Sequence, residues 1–172
     1  LTAKWKAPPS VTKENYSAVI AALTEDSTIV LTGELSDSDL TAIATAIKNS
    51  SYKVNLDLSQ TTELTSIPSF TFKYCSKLSG ITIPDTVTSI GSSTFDHCTS
   101  LSSVTIPDSV TSIGNGAFGI CTSLTAISVD SDNANYSIID GVLFNKDTTA
   151  IIIYPAGKQS ATYTIPDSVT SI

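Results

Sequence analysis

The chain has 172 residues, 41% of them hydrophobic, enough to bury a substantial core in one or two domains. Its 16 acidic residues against 9 Lys, with no Arg, give a formal charge of −7. An acidic chain without guanidinium groups grips phosphates poorly, which speaks against nucleic acid and anionic membrane surfaces as partners. The strongest apolar run, Ala150–Tyr154 ("AIIIY"), is strand-sized, so no direct membrane insertion is expected. Met is absent and the first residue is Leu1, so the chain reads as a fragment, with room for a removed export signal.

At the N-terminus, "LTAKWK" followed by "APPS" reads as the closing strand of a neighbouring module and a linker, residues 1–10. The stretch is similar to the "LxAKW" tail of listeria-bacteroides-type repeats in bacterial surface proteins. The alternative, a terminus whose Trp5 packs on the first helix, stays open. Next come Tyr16, Val19, Ile20 and Leu23 at helical spacing, then "TIVLT" (Thr28–Thr32) as a strand. Ser36 and Asp39 form a capping-box start for a second helix that lines up Leu40, Ile43, Ala44 and Ile47. "KVNLDLS" (Lys53–Ser59) alternates Val54, Leu56 and Leu58 inward as a second strand. Residues 11–63 are expected to be helical N-terminal capping coils whose strands begin a parallel sheet.

From residue 64 a period of 23 takes over, putting Phe72, Phe95 and Phe118 in register, as well as Cys75, Cys98 and Cys121. "IPDSVTSI" stands at Ile106–Ile113 and again at Ile165–Ile172, and "IPDTVTSI" at Ile83–Ile90. A fixed period of this length marks a solenoid, in which each coil stacks only on its neighbours. Within a coil, Leu101, Val104 and Ile106 point inward and Thr105 outward, the alternation of a short strand. Pro84, Pro107 and Pro166 end each strand, and Gly91 and Gly114 are expected to turn the chain.

The segments "TFKYCSKLSGITIPDTVTSIG", "TFDHCTSLSSVTIPDSVTSIG" and "AFGICTSLTAISV" carry the pattern "AFxxCxxLxxIxIPxSVTxIG". They resemble the BspA-type leucine-rich repeat of bacterial and some protist surface proteins, over Thr65 to Ile172. The resemblance implies an α/β solenoid: a right-handed leucine-rich-repeat superhelix with a curved parallel sheet. The commoner leucine-rich repeat places Asn or Cys three residues after the last strand aliphatic. Here Thr86, Ser109 and Ser168 stand there, so any ladder capping the backbone would be made of hydroxyls.

Residues 130–164 break the rhythm. Asp140-Gly141 reads as a hairpin turn between "YSII" and "VLF", and "NKDTT" turns again before "AIIIY", so the segment is expected to be a β-meander insert within one long variant coil. The repeats, residues 64–172, stop where Gly opens the next half-coil in the other copies. Further coils and end-to-end self-association through an open edge are expected.

Chemistry is sparse. His97 shares a register slot with Tyr74 and Ile120 and reads as a variable residue with no acid beside it. The three cysteines fall in one column and read as small, buried, reduced residues, with neither disulfides nor a zinc site. "DSDNAN" (Asp130–Asn135) gathers oxygen ligands but lacks the spacing of a calcium loop and reads as solvated. No catalytic residue, cofactor or metal is assigned. The sequons at Asn15, Asn49 and Asn135 matter only in a glycosylating pathway.

An interaction face is expected on the concave side of the sheet: Asn55, Asp57, Thr82, Ser103, Thr105, Ser128, Thr162 and Thr164, joined by Gly80 and Ala126. These side chains are small and carry no hot-spot aromatics, which points to weak, multivalent contact. Tyr136, Phe144 and Tyr154 make the insert the expected anchor. The resemblance implies a non-catalytic extracellular or cell-surface module, adhesin-like, binding host extracellular matrix or cell-surface proteins; the alternative is a structural spacer presenting another domain.

Overall fold

The computed structural model describes residues 11–160 and 162–172. The reading of "LTAKWK" and its linker lies outside them. The first helix, α1 (Tyr16–Ala21), is a short turn with only Ile20 buried. Strand β1 (Ser27–Glu34) follows, then α2 (Asp37–Lys48), which starts where the sequence marks it. Asp39 N–H donates to Ser36 Oγ at 3.2 Å and Ser36 N–H to Asp39 Oδ2 at 2.8 Å, the reciprocal capping box. Its apolar stripe, Leu40, Ile43, Ala44 and Ile47, is buried.

Strand β2 (Val54–Thr62) pairs in parallel with β1. Beyond it each coil contributes one strand to this sheet: β4 (Leu78–Thr82), β6 (Ser103–Ile106) and β8 (Ala126–Val129). The order is β1-β2-β4-β6-β8, parallel throughout, with Ile81, Val104 and Ile127 side by side. The core side chains of "SVTI" alternate as read, with Val104 and Ile106 buried and Ser103 and Thr105 exposed.

A second parallel sheet is built from pieces too short for periodicity to show. Strands β3 (Ser66–Ile67), β5 (Ser89–Ile90) and β7 (Ser112–Ile113) are the last two residues of successive octapeptides or their equivalent. They pair residue for residue at the period of the sequence. Between the two sheets the Phe side chains stack: Phe72 on Phe95 at 5.5 Å between centroids, and Phe95 on Phe118 at 5.0 Å. One continuous core runs from Val11 to Leu143.

The hydroxyl ladder is present. Thr86 Oγ1 donates to Leu64 O and Ser109 Oγ to Val87 O, both at 2.7 Å, and Ser168 Oγ donates to Thr148 O at 2.9 Å. The rung between them is an amide: Asn133 Nδ2 donates to Val110 O at 3.1 Å and to Pro107 O at 2.7 Å. Its Oδ1 accepts the N–H groups of Asn135 and Tyr136 at 2.8 and 2.9 Å. Asn133 is fully buried, so the segment read as solvated holds a structural keystone at its centre.

Gly91 and Gly114 are needed for a reason other than turning. Neither has a positive φ; a Cβ on Gly91 would lie 2.3 Å from Ser69 N, and one on Gly114 2.4 Å from Ser92 N. They let adjacent coils approach. The left-handed residues of the outer turns are instead Phe70, Ser93 and Gly116 in one register column and Tyr74, His97 and Ile120 in another.

The insert forms the expected meander: β9 (Tyr136–Ile139), β10 (Val142–Asn145) and β11 (Ile151–Ile153), antiparallel in the order β11-β10-β9. Asp140 and Gly141 turn the first hairpin with φ of 50° and 75°, the left-handed pair of a type I′ turn. The last octapeptide repeats the hydroxyl rung of its twin but not its strand in the large sheet. Thr162 and Thr164 lie outside any strand, and β8 closes the large sheet. Ile106 is fully buried, yet its equivalent Ile165 is 45% exposed. The meander has reached the place beside β8 first: Ile127 N–H donates to Gly141 O at 3.3 Å, and Gly157 N–H to Leu124 O at 2.8 Å.

Candidate functional site

The solvent face of the large sheet carries two rows set by strand register. Thr28, Asn55 and Gly80 adjoin in one, and Val30, Asp57 and Thr82 in the other. Ser103 beside Ala126 and Thr105 beside Ser128 continue them. Thr28 and Val30 extend the rows by one strand that composition alone did not single out. Asn55 Nδ2 donates to Thr28 Oγ1 at 3.3 Å, and its amide leans across Gly80, where a Cβ would stand 2.4 Å from Asn55 Oδ1. Asp57 Oδ1 accepts Ser59 N–H at 2.8 Å. The strip is made of small, mostly polar groups, of which Thr28, Asn55 and Asp57 are engaged in side-chain hydrogen bonds. Thr162 and Thr164 are exposed but not part of it.

The expected insert anchor divides. Phe144 is fully buried, and Tyr136, also buried, packs in the continuous core with its hydroxyl donating to Thr111 O at 3.5 Å. Tyr154 remains at the surface, 40% exposed, edge-on to Tyr163 at 5.4 Å. Buried rings cannot meet a partner, and of the three only Tyr154 is exposed.

A larger exposed aromatic patch lies where the chain turns on the side away from the large sheet. Phe70 and Tyr74 are each 58% exposed and Ile120 is 52% exposed. Tyr74 and His97 rings meet at 4.7 Å. Lys73 Nζ sits 5.1 Å from the Tyr74 ring and 5.6 Å from that of Phe70. An acid does stand beside His97: Asp96 Oδ1 is 2.9 Å from His97 Nδ1, and Asp96 Oδ2 is 3.0 Å from Lys73 Nζ. Burial pushes the Asp96 carboxyl up, but hydrogen bonds and charge from Lys73 and His97 together outweigh it and hold it below the usual value. The same contact, Asp96 first, raises Lys73. Sequence reasoning missed the patch because its members take left-handed backbone without Gly or Asn to signal it. That conformation swings each side chain off the core.

The cysteines face inward and are free. Cys98 Sγ donates to Phe72 O and Cys121 Sγ to Phe95 O, each at 3.1 Å, while Cys75 Sγ reaches Ala44 O at 3.6 Å. Burial pushes Cys75 up to about 12 and Cys121 up to about 11, and raises Cys98 further. These thiols are structural donors between coils, poorly suited to nucleophilic attack. Among the described residues no group of three or more His, Cys, Asp or Glu could hold a metal, and no helix is long and apolar enough to cross a membrane.

The model of the BspA type leucine rich repeat region matches residues 44–172, in 6 copies. The chain belongs to the BspA-type leucine-rich repeat family. This BspA-type array is similar to a leucine rich cell surface protein from Faecalibacterium prausnitzii, at 31% identity and a TM-score of 0.58, over 70% of this chain and 35% of that one. A leucine-rich repeat protein from Eubacterium ventriosum shares 26% identity at a TM-score of 0.45, over 83% of this chain and 49% of its own. The pneumococcal vaccine antigen PcpA shares 21% at 0.45, over 86% of the array and 46% of its own chain. The array thus spans from about a third to about half of these relatives. No curated protein matches it. The family and the Faecalibacterium neighbour place the array among bacterial leucine-rich repeat proteins.

Proposed function

We propose that the chain is a non-catalytic, adhesin-like interaction module of a bacterial cell-surface or secreted protein, binding host matrix proteins or proteins of other cells. The observation that carries this reading is the exposed Phe70–Tyr74–His97–Ile120 patch. Its aromatic, partly apolar surface with one cation is the composition of a binding hot spot. Tyr154 and the two rows from Asn55 and Asp57 to Ala126 and Ser128 add secondary contacts, worth most when several coils and copies engage together. Surface location rests on likeness to a protein described as a leucine rich cell surface protein.

The architecture proposed with it is a right-handed superhelix with a curved sheet. Residues 11–63 form capping coils, and residues 64–172 are the repeats. Ala44 O accepts the Cys75 thiol where later coils use Phe72 O and Phe95 O, which supports α2 as the stand-in for a preceding outer turn.

Immobilised matrix proteins, probed with the chain and with Tyr74→Ser/Ile120→Ser, test the reading. Retention of the parent and at least about tenfold weaker retention of the variant is expected. Equal retention of both, or none of either, overturns it. A second reading, a stiff spacer for another domain, is favoured by the small side chains of the sheet face, where Asn55 and Asp57 are already engaged with their neighbours. It requires that exchanging these coils for an unrelated solenoid leave binding by the whole protein unchanged.

A further inference from the structure

Asp96 sits where three successive outer turns meet. Lys73 Nζ reaches its Oδ2 from the preceding turn and His97 Nδ1 meets its Oδ1 from the same turn. The carboxylate leans over Gly119 of the next turn, where a Cβ would stand 2.8 Å from Asp96 Oδ1. Described coils flank this cluster on both sides: Tyr74 N–H donates to Asp96 O and His97 N–H to Gly119 O, each at 2.8 Å. Exposure is graded. The Asp96 side chain keeps 15% of its surface, and those of Lys73 and His97 keep 28% and 35%. An approaching group therefore meets the ammonium and the imidazole first, with the acid beneath them. Left-handed backbone, with φ of 65° at Phe70 and 62° at Tyr74 and His97, is spent on holding these side chains outward.

The acid also fixes the imidazole. Burial pushes the Asp96 carboxyl up, but hydrogen bonds and charge from Lys73 and His97 hold it below the usual value, so at neutral pH it is ionised and can only accept. His97 Nδ1 then carries the proton, which leaves a lone pair on Nε2. Nε2 has no hydrogen-bond partner among the described residues and is not buried. A proton added there turns an outward acceptor into an outward donor. It also takes the cluster from one cation against one anion to two cations against one. Nothing nearby cancels the change. Phe70 and Tyr74 are neutral rings, and Gly119 and Ile120 bring no charge from the following turn. Lys77, the other charged side chain of these turns, is tied to Ser51 O at 3.3 Å. The Cys121 thiol feels the Asp96 charge, but burial already pushes it up to about 11 and it stays protonated.

We propose that His97 makes the Phe70–Tyr74 patch an acid-gated site for an acidic segment of a partner protein. A Glu or Asp carboxylate of that segment, set beside an apolar side chain, is engaged by His97 Nε2–H and Lys73 Nζ once the imidazole is protonated. The protonated ring shares Asp96 with Lys73, which frees the ammonium for an outside carboxylate. The apolar neighbour covers the Phe70 and Tyr74 rings, each 58% exposed. At neutral pH the cluster offers no surplus cation, and a chain of net charge −7 repels an acidic segment. The inference rests on the patch being the binding hot spot; it adds the chemistry of the partner and the condition under which it is held.

The test uses the full chain, isotope-labelled for NMR, with phenylpropionate as the probe and its uncharged amide as the twin. Phe70, Tyr74 and His97 signals should shift saturably, with phenylpropionate held about threefold more tightly at about pH 5.5 than at about pH 7.5, the scale of one partly exposed charge pair. The amide should show no such pH dependence. His97→Asn, whose side chain tolerates left-handed backbone, should abolish it. His97 is the only histidine, so its ring nitrogen shifts are unambiguous. They should place the proton of the neutral form on Nδ1, a bias lost in Asp96→Asn. Equal affinity at the two pH values, a pH dependence that survives His97→Asn, or a neutral ring protonated on Nε2 overturns the gate and leaves the hot spot standing. No saturable shift at either pH overturns the inference as well. Retention on matrix proteins of the parent against Tyr74→Ser/Ile120→Ser then decides separately whether the hot spot falls with it.

Discussion

Replacing Asn133 by Ala removes four hydrogen bonds at once from a fully buried site. Two backbone carbonyls, of Pro107 and Val110, and two N–H groups, of Asn135 and Tyr136, are left without that partner. At about 1 kcal/mol net for each bond, the loss is about 4 kcal/mol. For a chain of this size that lowers the melting temperature by about 8 to 16 °C. Asn133→Asp is the sharper control. It keeps the acceptor for Asn135 and Tyr136 but turns a carboxylate towards two carbonyls, so at neutral pH it should be at least as damaging as Ala. Acidification should narrow the gap, because a protonated carboxyl regains one donor. Circular-dichroism melts give the totals. Hydrogen exchange should show the loss concentrated in β9 and β10 and the coil beneath, since each unit of a solenoid answers mainly to its neighbours. A melting temperature for Asn133→Ala within about 2 °C of the parent would refute the keystone role. So would a melt raised by calcium, which would mean that the segment uses its oxygens for an ion instead.

Iodoacetamide at pH 8 should label Cys75 about a thousandfold and Cys121 about a hundredfold more slowly than unfolded chain, with mass spectrometry locating the label, because the thiolate fraction falls with the raised pKa. Raised thiol values also fix the sign of the alkaline limb: unfolded thiols ionise first, so stability present below about pH 9 should decline as pH rises towards 11 and 12, as followed by urea melts. Gly114→Ala should cost about 3 kcal/mol by forcing two coil backbones apart, whereas Gly116→Ala, whose Cβ would meet only Ser93 Oγ at 3.5 Å, should cost about 1 kcal/mol of left-handed strain; equal costs would contradict the close-approach account. Asp96→Asn should cost at most about 1 kcal/mol, since its pairs with Lys73 and His97 lie near the surface. The depressed Asp96 value means that this contribution is present at neutral pH and fades as acid protonates the carboxylate, so parent and variant melts should converge at low pH.

What the sequence displayed was whatever the stacking repeats. The Phe and Cys columns, the hydroxyl rungs at Thr86, Ser109 and Ser168, and the alternating strands all require one residue type at one place in each coil, so a period reveals them. The capping box of α2 was legible because its chemistry is local. Three features escaped. The two-residue strands β3, β5 and β7 are shorter than one cycle of alternation. The left-handed column Tyr74, His97 and Ile120 is filled by residues that ordinarily avoid that conformation; Tyr74 and His97 N–H each bond the following coil, and the carbonyl of each of the three accepts the N–H two residues on. Asn133 stands one residue away from the slot its hydroxyl counterparts define, so it was read with its acidic neighbours instead of with Ser109. Most telling are the twin octapeptides. Identical letters at Ile106 and Ile165 end in opposite environments, because burial depends on what reaches the sheet edge first, and residues 130–160 get there before the final copy.

The stack of coils joined only to their neighbours has a mechanical consequence. A pull on the two ends loads the rungs in series, so the chain yields one level at a time instead of in a single rupture. Each 23-residue level released pays out about 80 Å of slack. Such a molecule behaves as a shock absorber, lengthening in increments while the levels not yet opened keep their shape.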